Sequence, residues 1–202
     1  MVPTIPHLIL LFFLGGVFIH FMQAGARTLH FERGEAGPGA SIAQGVFTFG
    51  GILPIWWLGL YQPIHLVNGI IAACILVACI ALYEWARHTI WGRRFGVGLG
   101  DHVPDELCES GPYRYIRNPL YLSYQLAHLA AFVAMPHWIT AVLLAVSIAV
   151  FVYMARSDER TIAGSPLAAA YAAYCERAGM FLPKWGHSSF PRKRGRGKPV
   201  GR

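Results

Sequence analysis

The sequence predicts an all-α fold, a polytopic membrane helix bundle of about five transmembrane helices with a cytoplasmic C-terminal helix. Three observations lead there. Of 202 residues 55% are hydrophobic and 13% charged, the latter about half of the ~25% usual in soluble domains. The apolar residues come in long blocks rather than at amphipathic periods. All 17 Lys and Arg residues also fall on one side of a five-span arrangement, as the positive-inside rule requires.

The first span is Ile5 to Ala24. It lacks a basic leader region and a small-residue cleavage site, so it is read as a span and not a removed signal. The second, Val46 to Tyr61, is interrupted by Gly50, Gly51 and Pro54. It is kept because without it the basic residues no longer segregate. The third runs from Leu66 to Trp85. The fourth and fifth, about Leu120 to Met135 and Trp138 to Ala155, flank a tight turn at Pro136-His137. Segment 25–45, segment 86–119 and the tail then share the cytoplasmic side, with the N-terminus outside. Residues 1–86 hold three N-terminal helices. Residues 87–185 hold a cytoplasmic connection, a two-helix membrane hairpin and a tail helix. Residues 186–202 form a disordered basic tail. The residues after Phe190 carry six basic groups and no acidic one. Beside a membrane span such a tail meets anionic lipid headgroups more simply than nucleic acid, so membrane lipids and no nucleic acid are the partners expected.

The four cysteines show no CxxC spacing, and His20, His128 and His137 share no ligand spacing, so no metal site is read. Glu84, at the cytoplasmic end of the third span, is expected to pair with Arg87 or His88. The crowded stretch is Ser110-Gly-Pro-Tyr-Arg-Tyr-Ile-Arg-Asn-Pro-Leu-Tyr-Leu-Ser-Tyr124. Gly111-Pro112 is a turn signal. Asn118 is held out of the helical region by the proline after it, and Pro119 suits the first helical position of the fourth span. A helix N-terminus flanked by Arg114 and Arg117 suits an anionic ligand group, although tyrosines and arginines also serve as interfacial anchors. After the fifth span comes Arg156-Ser-Asp-Glu-Arg160. If the tail folds back, Glu159 faces the helix mouth at Pro119. Tyr171, Tyr174 and Ala178 share one helical face.

The run Leu107-Cys-Glu-Ser-Gly-Pro-Tyr-Arg-Tyr-Ile-Arg-Asn-Pro-Leu-Tyr121 resembles the L-V-T-x-G-P-Y-x-x-x-R-H-P-x-Y pattern of the isoprenylcysteine carboxyl methyltransferase family, within the wider integral-membrane and phospholipid methyltransferase group. Asp158-Glu159 stands for that family's acidic pair, Tyr171-Ala-Ala-Tyr174 for its Y-x-x-Y, and Phe181-Leu-Pro183 resembles its closing R-F-x-P. The likeness covers roughly residues 80–185, and it makes 87–185 the methyltransferase core. It implies S-adenosylmethionine as the methyl donor, contacted by Asp105, Glu106, Leu107, Cys108, Tyr113, Asn118, Pro119, Leu120, Tyr121 and Glu159. It also implies a lipidic or small amphipathic acceptor reaching the site from the bilayer, with Arg156 or Arg117 orienting an acidic one. Asn118 stands where the family has His, and Arg156 lies one position from the family's acceptor-binding Arg. These departures bear on the acceptor more than on the donor. Two other readings compete: an NADPH-dependent membrane reductase of related architecture, and a non-catalytic lipid-binding membrane protein. The high Ala, Gly and Arg content and the short loops lean toward a bacterial inner membrane.

Overall fold

A computed structural model describes residues 8–9, 12–17, 19–20, 53–90 and 106–184. Among them the architecture is all-helical, with no strand and one isolated parallel bridge between Ile116 and Gly179. Residues 12–17 and 53–61 are helical. Four further helices follow: α1 (Leu66–Ile90), α2 (Pro119–Ala134), α3 (Trp138–Ala163) and α4 (Ala168–Arg177), with a 3-10 turn at Gly111–Arg114 before α2. The remaining parts of the first two expected spans, the segment 25–45 and the basic tail lie outside the described residues.

α1 is a run of Ile, Leu, Val, Ala and Cys that ends on Arg87 and His88, cations suited to the negative end of a helix dipole. α2 begins as expected, with Asn118 as N-cap and Pro119 in the first turn. The turn to α3 is fixed by polar groups. The His137 Nδ1 accepts from the Ile139 N–H at 3.2 Å, and the Thr140 Oγ1 accepts from the His137 N–H at 3.2 Å. The buried Thr140 hydroxyl in turn donates to the Met135 carbonyl at 2.7 Å. These bonds matter in an apolar setting because an unsatisfied backbone group there costs several kcal/mol.

The main core joins Leu14 and Val17 of the first helical segment, Ile55 and Leu58 of the second, Ala72, Leu76, Cys79 and Tyr83 of α1, and Ala127, Ala130, Ala131 and Ala134 of α2. Alanines facing α1 let the two backbones approach closely, as membrane helices do where apolar burial alone gives no driving force. α1 and α3 are each long and apolar enough to span a bilayer, and only 22% and 28% of their most apolar stretches are buried. The core helix of a soluble protein would be mostly buried, so the low burial of these apolar helices fits helices that cross a membrane. Trp57, Tyr61 and Trp138 are exposed at one end of the bundle and Trp85, Tyr115 and Tyr153 toward the other, the placement of two interfacial aromatic belts.

The expected third span, Leu66 to Trp85, lies within a helix that continues to Ile90. A fifth span ending at Ala155 with a separate tail from 156 is corrected: α3 runs unbroken to Ala163. Nothing in Arg156-Ser-Asp-Glu-Arg160 breaks a helix. The stop comes from Gly164, whose N–H returns to the Arg160 carbonyl at 3.0 Å, with Pro166 two residues on. The acidic pair therefore rides on a rigid extension of a spanning helix.

Candidate functional site

A cavity partly open to the outside lies where α2 begins and α3 ends. Four pieces of chain converge on it. Leu107, Cys108 and Tyr113 come from the connection before α2. Arg117, Asn118, Pro119, Leu120 and Tyr121 come from the mouth of α2. Asp158, Glu159 and Ile162 come from α3, and Tyr171 and Tyr174 from α4 close it.

The tail does fold back. The Arg117 N–H donates to the Gly179 carbonyl at 2.8 Å, the Asn118 N–H to the Met180 carbonyl at 3.1 Å, and the Gly179 N–H to the Tyr115 carbonyl at 3.1 Å. The Tyr174 hydroxyl donates to the Tyr113 carbonyl, and Arg177 pairs with Glu109 at 2.9 Å. Glycine is required at 179 because a Cβ there would run into the Leu182 carbonyl. Gly111 has φ +56, a left-handed conformation that favours glycine, and a Cβ would also strike the Thr89 side chain.

Glu159 is held on one side. Its Oε1 accepts from Arg117 Nε at 2.9 Å and from Asn118 Nδ2 at 3.4 Å, while Arg117 Nη1 donates to the Ala178 carbonyl at 2.7 Å. The pair is largely shielded, with side chains 11% and 19% exposed. Burial alone would lower the Arg117 pKa, but the hydrogen bond and charge of Glu159 outweigh it and raise it. Tyr121 donates to Asp158 Oδ2 at 2.7 Å and stacks on Phe151 with ring centres 5.5 Å apart. Burial raises the pKa values of Tyr113, Tyr171 and Tyr174 above the ordinary tyrosine range, so these phenols stay neutral at physiological pH. The α2 N–H groups at Leu120 and Tyr121 open toward the cavity end, since the first N–H groups of a helix have no carbonyl within it.

Of the residues singled out from the sequence, Leu107, Cys108, Tyr113, Arg117, Asn118, Pro119, Leu120, Tyr121 and Glu159 meet at this cavity. Glu106 and Arg156 are exposed and do not line it, and Asp105 lies outside the described residues. Asp158, Ile162, Tyr171 and Tyr174 also line the cavity, beyond the residues that the sequence assigns to the donor site. The signals were present: Asp158 belongs to the acidic pair, Ile162 lies one helical turn after Glu159, and the two tyrosines form the expected shared face. Glu84 receives Arg87 Nη2 at 2.6 Å, and its second oxygen meets His20 Nε2 at 2.6 Å. Among the described residues no three His, Cys, Asp or Glu side chains gather as a metal ion would need.

Residues 66–163 match the PEMT family, phospholipid methyltransferase. The match takes in α1, α2 and all of α3. It begins earlier than the likeness read from the motifs and stops before α4. No curated protein and no solved structure matches the chain.

Proposed function

We propose, from the match of residues 66–163 to the phospholipid methyltransferase family, that the chain is an integral-membrane methyltransferase that takes its methyl group from S-adenosylmethionine and passes it to a lipidic or small amphipathic acceptor. The observation that carries this reading is the meeting of the α2 mouth, Glu159 and the tyrosines of α4 around one cavity at the end of the spanning helices.

The residues present fit the donor. Glu159 keeps Oε1 on Arg117 and Asn118 and offers Oε2 to hydroxyl or ammonium groups. The α2 N-terminus suits a carboxylate. The faces of Tyr113, Tyr121, Tyr171 and Tyr174 suit a cation. When bound, S-adenosylmethionine supplies an electrophilic methyl group on a sulfonium. Displacement at such a carbon asks the protein for alignment and a dry site more than for an acid–base pair. Pro119, Leu120, Ile162 and Leu107 supply apolar wall, and the folded-back tail covers it. Arg117 is committed to Glu159 and Ala178, so we assign it to positioning. Arg156 is exposed and does not line the cavity, so it is given no part in orienting the acceptor.

The test is calorimetric titration of the detergent-purified chain with S-adenosylmethionine, with Glu159→Ala alongside. Saturable binding lost in the variant is the expected result. No binding by a folded parent chain would overturn the reading and favour the reductase or lipid-binding alternative.

A further inference from the structure

The outer face of α3 carries a feature the cavity does not use. Val142, Val146, Ala149, Tyr153, Arg156 and Arg160 are all exposed and recur at steps of four and three. That spacing puts them on one stripe of the helix. The stripe is apolar until Tyr153 and cationic after it. From the exposed Trp138 to Tyr153 the helix rises about 22 Å, so these two aromatic residues bracket the apolar run as interfacial anchors do. Arg156 and Arg160 come next, at the depth of lipid phosphates.

The two arginines are one turn apart on the same side, close enough to repel. Neither has an ion pair or side-chain hydrogen bond among the described residues. Other arginines at this end of the bundle are matched: Arg87 to Glu84, Arg117 to Glu159, Arg177 to Glu109. Two adjacent guanidinium groups above an apolar stripe form a forked donor set for a phosphate whose acyl chains lie below it.

We propose that Arg156 and Arg160 clasp the phosphodiester of an anionic membrane lipid, with its acyl chains along Tyr153, Ala149, Val146 and Val142. This goes beyond the methyl-donor assignment and depends only on the membrane-spanning reading of α3. The bound lipid lies on the α3 turn that carries Glu159, separated from the cavity by the helix itself. It neutralises the repulsion between the two arginines and fixes the depth of the cavity relative to the bilayer surface.

The test is equilibrium binding of acyl-labelled phosphatidylglycerol to the full chain in neutral detergent, with no methyl donor present. Saturable binding is expected, displaced by unlabelled phosphatidylglycerol but not by phosphatidylcholine or inorganic phosphate at the same concentration. R156Q/R160Q should bind roughly 20- to 30-fold more weakly, from two surface charges at the scale of a headgroup contact. R156K/R160K should keep part of the affinity, and R177Q, off the stripe, should bind as the parent does. Equal affinity of the parent and R156Q/R160Q would overturn the proposal, as would equal competition by phosphatidylcholine or by free phosphate. Because the donor is absent, a chain that binds phosphatidylglycerol but not S-adenosylmethionine overturns only the proposed function.

Discussion

Glu159 and Arg117 illustrate how one contact serves both stability and a site. The carboxylate is shielded, its charge is met through one oxygen, and the residue lines the cavity. Breaking such a pair from the arginine side leaves a buried charge without its partner. Arg117→Gln should therefore lower the melting temperature and weaken donor binding together. Arg177→Gln, which breaks the exposed pair with Glu109, should cost no more than about 1 kcal/mol. A second residue-scale test is Tyr174→Phe. It leaves the Tyr113 carbonyl without its donor in a buried setting, at a cost of about 1–3 kcal/mol, measurable by denaturant unfolding of the purified chain. A cost near zero would mean that the tail is held by backbone pairing alone.

At the scale of the element, α3 and the tail segment act as a frame and a cover. The frame is one continuous helix, so the membrane hairpin and the acidic pair move as a unit. The cover is a short helix and a returning segment tied down at 115–118. Gly179→Ala forces a Cβ against the Leu182 carbonyl, and the pairing with Tyr115 and Arg117 should open. The expected result is faster amide exchange across 168–184, with exchange in α1 unchanged. Equal protection of the tail in parent and variant would show that Gly179 is not what holds it closed.

For the whole molecule, every described Lys and Arg lies at the cavity end of the bundle, and the turns at 62–65 and 135–137 lie at the other. By the positive-inside rule the cavity end is expected to be cytoplasmic. Gln62→Cys and Glu109→Cys, each in a cysteine-free background, should react with a membrane-impermeant thiol reagent from opposite faces of a sealed vesicle. Labelling from the same face would dismantle the five-span arrangement.

The sequence by itself determined the helical class, the apolar blocks and the cap at Asn118-Pro119, because these depend on local chemistry: long apolar runs, a proline that cannot donate, and charges that avoid lipid. It also indicated which short motifs belong together. It did not determine that α3 continues through the acidic pair, since a charged helical turn and a charged loop look alike until packing decides. Nor did it indicate that Asp158 holds Tyr121, that Arg117 is spent on Glu159, or that Arg156 turns away from the cavity. Those outcomes depend on the angle at which α3 meets α2 and on the return of residues 178–180 to pair with 115–118. Such contacts join segments some sixty residues apart, and only the tertiary structure can choose among them.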